Sequence, residues 1–405
     1  MRIRTHGELE SKISEYGRIA IFGTGEYGKG FVYDILKGAA GNNGIYCFYD
    51  NRTSPGTIVR DAVQVHSIEE LYESHDSLLL FLGVGIRIQE QLLNQLQEHA
   101  VSNVVLADEI FLTDICQSIE ISDETVKSRY MSLLDDETYL RNLYKRNMGQ
   151  DLDLSNPQSF NAKINWLKLN DRNPLYMTLV DKYSVKEYVA GIIGSEHVIP
   201  TLGVYEHWAD IDFHMLPEQF VLKCTHDSGS TFVVKDKNTL DMESTQIQVE
   251  KRLSINPYYI TREWPYKSVR PRIIIEPLLS DDITGPEKAI NDYKFFCYQG
   301  EIKYLFVATD RHKGHGGMRF DFFDQNFDHI PDQHKSYPNA KVIPQKPDNY
   351  DEMLRLVTEL AHGFVFARID MYSVNQQIFF GEYTFYPGGG MEGYPDLLGD
   401  NIQIW

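Results

Sequence analysis

The sequence predicts a two-part protein, an α/β N-terminal unit built on a parallel sheet followed by a larger α+β module. Three observations predict it. Short apolar runs alternate with amphipathic helical segments over roughly the first quarter of the chain. A polar helical stretch follows, and beyond it come runs of β-branched and aromatic residues joined by glycine turns, the pattern of antiparallel strands. At 405 residues the chain is also too long for one ordinary core, which suggests two to four folding units. The expected divisions are residues 1–115, 116–175 and 176–405.

Composition narrows the function classes. Apolar content of 42% with 12% aromatic residues is that of a well-packed globular protein. A formal net charge of −19 disfavours nucleic acid and anionic membrane surfaces, because a polyanion would be repelled. A local basic pocket remains compatible with that charge. The start, MRIRTHGELESKISEYGRIAIF, lacks the apolar run of a secretory signal, and LLLFLGVGI is far too short to span a bilayer. A cytoplasmic protein that is not an integral membrane protein is expected. Cys47, Cys116, Cys224 and Cys297 show no CxxC spacing, so they read as buried thiols in a reducing compartment.

The elements follow in order. RIAIFGTGEYGKG is a strand, a glycine turn and a helix start, with Gly23, Gly25 and Gly28 giving GxGxxG in a Rossmann-like context. The strand IYCFYD ends in Asp50, about where a ribose-binding acid would fall. Two readings stay open: a nucleotide or nucleotide-sugar site, or a scaffold whose glycines allow tight helix–strand packing. SIEELYES, SLLLFLGVG, IQEQLLNQLQEHA and NVVLA complete a helix–strand–helix–strand series. ETYLRNLYKRNMG and SFNAKINWLKLN are then helices, broken at DLSNP, with Ser155 or Asn156 available to cap the second.

Next, a helix carries Lys182 and Lys186 and runs into a strand through Ile199 and Pro200. FVLKCTHDSGSTFVVKDK is a β-hairpin with Lys223 on its first strand and a tip of small hydrogen-bonding residues, Thr225 to Thr231. Backbone amides of such a tip, with a lysine on the adjoining strand, suit the phosphates of a nucleotide, although no GxxxxGK[ST] pattern is present. PRIIIEPLL is a strand broken by Glu276 and Pro277, which frees backbone groups for an adenine edge. NDYKFFCYQGEIKYLFVATDR gives two antiparallel strands about Gln299-Gly300, with Lys294 on the first and Arg311 after the second. DRHKGHGGMRFDFFD, with His312, His315, Asp321 and Asp324, reads as a loop that contacts substrate and has no metal-ligand spacing. In FARIDMYSVNQQIFFGEYTFYPGGG, Asp370 and Glu382 stand in apolar strands, where carboxylates need a partner or a metal. The closing Pro387 to Gly390 is either an acceptor-facing loop or a plain turn.

In this order the motifs DKYSVKEYV, VLKCTHDSGSTFVV, IIIEPLL, DYKFFCYQGEIK and ARIDMY…FFGEYTFYPGGG resemble the ATP-grasp enzymes. More closely, the run from about Leu154 to Asp396, including NPQSFNAKINWLKLNDRNP and FARIDMY, looks like the TupA-like ATP-grasp family of bacterial surface-polymer biosynthesis. The first unit resembles small N-terminal domains that precede catalytic modules in bacterial surface-sugar biosynthesis, some of which hold a nucleotide-sugar.

The resemblance implies an α+β module whose two lobes clamp ATP and Mg²⁺. It implies phosphate contacts from Lys182 and Lys223, and a flap that includes Thr225, His226, Ser228, Gly229 and Ser230. Glu276, Leu278 and Leu279 would frame the adenine. Asp370 and Glu382 would hold the metal, with Thr384 in place of the family's asparagine as the third contact, through its hydroxyl or a water. Arg368 and Lys294 would stabilise the transferring phosphoryl group and the acyl phosphate. The implied reaction joins a carboxylate, on a free or nucleotide-linked uronic acid, to an amine. The alternatives are a glycosyltransferase using a nucleotide-sugar, disfavoured by the absence of a DxD pair after a Rossmann strand, and a non-catalytic nucleotide sensor.

Overall fold

The computed structural model describes the chain except residues 2, 4, 26, 41–43, 74, 85, 108–110, 112–134, 228, 254, 281–289, 311–316, 332 and 404–405. Ser228, Cys116, Arg311, His312 and His315 therefore lie outside the described residues, as does the whole stretch 112–134. Two compact units divide at Leu143 and Tyr144.

In the first unit, β1 (Arg18–Phe22), β2 (Cys47–Tyr49), β3 (Ile58–Arg60), β4 (Val63–His66), β5 (Leu78–Leu82) and β6 (Val104–Leu106) form one sheet in the order β3-β4-β2-β1-β5-β6. All neighbours pair in parallel except β3 with β4. Parallel strands buried on both faces read as unbroken apolar runs, and β5, LLLFL, is buried throughout. After β1 the chain enters a π-helical turn, Tyr27–Val32, and then the helix Tyr33–Ala40. Gly23 and Gly28 make this connection possible. Gly23 has φ +114°, and a Cβ on Gly28 would stand 2.1 Å from the Gly23 carbonyl oxygen.

The second unit carries two antiparallel sheets. The smaller has the order β7-β10-β8-β9, from β7 (Gly203–Tyr205), β8 (Phe220–Cys224), β9 (Thr231–Val234) and β10 (Ile273–Pro277). Period-2 alternation sends Phe220, Leu222, Cys224, Ile273 and Ile275 into an apolar cluster with Val249 of the helix Met242–Leu253. The opposite face is left for Lys223 and Glu276.

The larger sheet has the order β14-β13-β12-β11-β15-β16, from β11 (Asp292–Tyr298), β12 (Glu301–Thr309), β13 (Arg319–Asp324), β14 (His329–Ile330), β15 (Phe366–Val374) and β16 (Gln377–Thr384). Its core is built with the helices Phe160–Asn170, Val185–Ile193 and Tyr350–Ala361. The β11–β12 turn has positive φ at Gln299 (+51°) and Gly300 (+86°), as a tight hairpin requires.

Several local expectations need correction. The cap of the helix Phe160–Asn170 is Ser159, whose Oγ accepts from the Ala162 amide at 3.2 Å, because Asp153 instead gathers the Ser155 and Asn156 amides. The helix expected to carry Lys182 begins at Val185, since Asp181 accepts from the Tyr183 and Ser184 amides and holds a turn there. The strand after it forms only at Gly203, while Val198 makes an isolated bridge to Phe380. Asp321 and Asp324 sit on β13, not in a loop; Asp321 is buried and accepts from Ala340 N and His329. Among the described residues, no helix is long and apolar enough to cross a membrane. Cys47, Cys224 and Cys297 are buried free thiols, and burial pushes Cys47 and Cys224 up to about 12.

Candidate active site

The small sheet presents a charge cluster. Lys223 stands opposite Ile274 on β10, which puts it diagonal to Glu276 on the same face. Its ammonium donates to Glu276 Oε2 at 2.6 Å, and Lys186 pairs with Glu276 Oε1. Burial pushes the Glu276 carboxyl up, but Lys223 and Lys186 outweigh it and hold the group below its ordinary range. Burial also lowers the Lys186 pKa, against the pull of Glu276. Lys186 and Lys223 thus converge on one acid, whereas Lys182 donates to the Asp227 carbonyl in the hairpin tip.

The tip is fastened from within. Ser230 Oγ donates to Asp227 Oδ1 and accepts from Cys224 N at 3.1 Å. His226 is buried with Nε2 at 2.9 Å from the Ile255 carbonyl oxygen, and Thr225 Oγ1 donates to Arg270 O at 3.3 Å. Gly229 has φ +93° and open space where a Cβ would be. On β10, pairing with β7 ends at Ile275, so backbone beyond Glu276 is off that ladder, and Leu279 packs against Ile199, Val374 and Phe379.

One face of the large sheet gathers the other candidates. The β15–β16 register sets Arg368 opposite Thr384 and Asp370 opposite Glu382, and β11 sets Lys294 opposite Asp370. Alternation then puts Lys294, Arg368, Asp370, Glu382 and Thr384 on a common side. Arg368 donates from Nε to Asp370 Oδ1 at 2.7 Å and from Nη2 to Asp370 Oδ2 at 2.8 Å, a bidentate pair. Nη2 also reaches Glu382 Oε1 at 3.0 Å and Thr384 Oγ1 at 2.8 Å. Lys294 pairs with Asp370 and, at 2.7 Å, with Asp292. Burial pushes the Asp370 carboxyl up to about 6 despite Arg368 and Lys294. Thr384 is thus a hydrogen-bond partner of Arg368.

A third set has a sequence signal only in hindsight. On the helix Phe160–Asn170, Asn161, Asn165 and Lys168 recur at four- and three-residue steps among apolar residues, and all three are buried. Lys168 donates to the carbonyls of Thr261, at 2.8 Å, and Gly389; Asn165 donates to Gly390 O at 3.0 Å, and Asn161 to Glu392 O at 2.6 Å. These bonds hold the turn Pro387–Gly390, where all three glycines have positive φ. The turn is therefore a clamped element, and in the chain it follows directly on β16, which carries Glu382 and Thr384.

In the N-terminal unit, the Asp50 carboxylate accepts from Thr24 N at 2.8 Å, Thr24 Oγ1 at 2.9 Å and Arg52 N at 2.7 Å. It ties the glycine loop to the end of β2, and Gly23 and Gly28 serve close packing. Of these three motif glycines, Gly25 is the one that faces open space.

A protein-family model described as TupA-like ATPgrasp matches residues 162–403, more than half of the chain. Among solved structures, D-alanine-D-alanine ligase from Helicobacter pylori is similar at 13% identity and a TM-score of 0.29, over 55% of this chain and 59% of that one. D-alanine–D-alanine ligase from Bacillus anthracis, complexed with ATP, is similar at 11% identity and a TM-score of 0.29, over 91% and 86% of the two chains. N5-carboxyaminoimidazole ribonucleotide synthetase from Thermus thermophilus gives 13% identity and a TM-score of 0.29, over 91% and 71%. The chain spans about three fifths of the Helicobacter pylori enzyme's length. At these scores the likeness says nothing of substrate. No curated protein matches the sequence.

Proposed function

The chain belongs to the TupA-like ATP-grasp family, and from that premise we propose that it joins the carboxylate of a uronic acid to an amine at the expense of ATP. The uronic acid is a unit of a bacterial surface-polysaccharide precursor, and the amine is an amino acid or small amino alcohol. The enzyme works in the cytoplasm.

The observation that carries this reading is the joining of Lys294, Arg368, Asp370 and Glu382 on one sheet face within the family-matched span. In the reaction, a carboxylate oxygen forms a bond to the γ-phosphorus of ATP as the bond to ADP breaks. The amine then forms the C–N bond as the acyl carbon–oxygen bond breaks and phosphate leaves. Lys294 and Arg368 offset the negative charge that develops in both steps. Lys182 and Lys223 contact the ATP phosphates under the flap Thr225–Thr231, joined by Lys186, and Glu276, Leu278 and Leu279 frame the adenine.

Asp370 and Glu382 are hard oxygen donors facing each other across β15 and β16, and one or two carboxylates plus phosphate oxygens are what Mg²⁺ ordinarily takes. Among the described residues there is no group of three or more His, Cys, Asp or Glu placed to hold a metal. When bound, Mg²⁺ neutralises charge on the phosphate oxygens.

The test is ADP and phosphate release across a matrix of nucleotide-linked uronic acids and amines. Turnover should require both partners. Lys223→Ala and Glu382→Ala should each cut it by about 100-fold or more with the fold retained by circular dichroism. ATP binding with no stimulation by any partner pair would remove the ligase reading.

A further inference from the structure

Lys168 is a charged side chain that the reaction above does not use, yet it is almost wholly out of solvent, at 1% exposure. Its ammonium donates to the carbonyls of Thr261, at 2.8 Å, and Gly389, and to Asn165 Oδ1 at 3.3 Å. Removing an ammonium from water is costly, and a neutral amide could meet carbonyl oxygens without that cost. What the charge adds is the strength and narrow geometry of a charge-assisted hydrogen bond. That strength falls on a turn with little local preference for its own path. Gly388, Gly389 and Gly390 have φ of +56°, +59° and +67°, whereas left-handed residues ordinarily occur singly.

The helix that carries Lys168 lies on the face of the large sheet that bears the charged row. Phe296 stands opposite Arg368 in the β11–β15 register and two residues from Lys294, so its ring shares their side. The Phe160 ring centroid is 6.1 Å from that of Phe296 and 5.7 Å from that of Phe366, two residues before Arg368 on β15. Further along the same helix, Asn165 and Lys168 hold the turn by its Gly390 and Gly389 carbonyls. The chain sets the same limit from the other direction. Thr384, bonded to Arg368 Nη2 at 2.8 Å, comes three residues before Pro387. Three residues span at most about 11 Å between Cα atoms. The turn also meets Thr261, whose Cγ2 would lie 3.1 Å from a Cβ on Gly389, so one ammonium ties two touching segments together.

We propose that Lys168 is a positioning residue: by fixing the Gly389 peptide it holds the Pro387–Gly390 turn as the wall that seats the carboxylate substrate near Arg368. This rests on the ligase reading above. A carboxylate is phosphorylated only when its oxygen stands in line with the γ-phosphorus, and a misplacement of about 1 Å costs on the order of 100-fold. The turn therefore acts on the acid before the amine arrives. Lys168, enclosed by carbonyls, touches neither substrate and works through the turn alone.

The experiment uses the full chain with ATP, UDP-glucuronate and either glycine or hydroxylamine as the nucleophile. Lys168→Met keeps the length of the side chain without its charge or donors. The expected result is a kcat/KM for UDP-glucuronate lowered by about 100-fold, equally with either nucleophile, while the affinity for ATP measured by calorimetry stays at the wild-type value. Lys168→Arg, which keeps the charge and the donors, should recover part of the loss. Where Lys168→Met does not fold, Asn165→Ala carries the same test, since it removes the bond on Gly390 and leaves Lys168 on Gly389. The same split is expected there, at a smaller size. An unchanged kcat/KM for UDP-glucuronate, an ATP affinity that falls in step with turnover, or a loss seen with glycine and absent with hydroxylamine would overturn the assignment. If the wild-type chain binds ATP but forms neither amide nor hydroxamate, the ligase reading fails for this acid, and the role of Lys168 falls with it.

Discussion

Thr384 shows how a single side chain changes meaning once its neighbours are known. It stands where the family's asparagine would contact a metal, yet its hydroxyl accepts from Arg368 Nη2 at 2.8 Å and lies 3.3 Å from Glu382 Oε1 as donor. It therefore helps fix the guanidinium against both carboxylates. His334 makes a second residue-scale argument, this one about stability. Its ring is buried among Phe320, Tyr337 and Tyr394, its Nδ1 accepts from Ser336 N at 3.1 Å, and its Nε2 has no hydrogen-bond partner among the described residues. Burial lowers its pKa from 6.5 to about 4. The unfolded chain therefore takes up this proton first as pH falls below about 6.5, and the folded state loses stability progressively until about pH 4. Between about pH 7 and about pH 4.5 the loss is on the order of 2 kcal/mol. Urea midpoints at the two pH values should fall less for His334→Gln than for the wild type. Equal falls would show that His334 is not the group that charges.

At the scale of the element, the turn Pro387–Gly390 depends on geometry that only glycine supplies. Gly390 has φ +67°, and a Cβ there would lie 2.7 Å from Asn165 Nδ2. Gly390→Ala should cost about 1–3 kcal/mol in thermal or urea unfolding and lower ligation more than ATP binding, because the turn must shift off its bond from Asn165. An alanine variant with wild-type stability and turnover would show that the turn tolerates another path. This element also marks the limit of what local pattern reveals. The strands were legible, since LLLFL, FVLKC, IIIEP and FARIDMY carry apolar runs or alternation that hold whatever surrounds them. The shared face of Lys294, Arg368, Asp370 and Glu382 was half legible, as each residue is visible but the register that joins them is not. The clamp was not legible at all: Asn161, Asn165 and Lys168 meet a turn more than 220 positions away. Capping failed for a different reason, because Ser155, Asn156 and Ser159 are all competent and Asp153 alone decides among them.

At the scale of the whole molecule, the two units own separate cores. Ala20, Phe22, Leu78, Leu80, Leu96 and Val104 make one within the first, while Phe160, Phe295, Leu305, Leu356 and Ile369 belong to another within the second. Cores that share no residues lose their packing separately, so heating should reveal more than one cooperative step. The glycines assign the steps. A Cβ on Gly28 would lie 2.1 Å from the Gly23 carbonyl oxygen, a backbone atom with nowhere to yield, whereas Gly390 meets a side chain of the second unit. Calorimetry of Gly28→Ala should lower one transition by on the order of 5 °C and leave unmoved the transition that Gly390→Ala lowers. The double variant should then show both shifts undiminished, since sites in separate cores act additively. A single transition that moves for either substitution would mean that the two cores unfold as one.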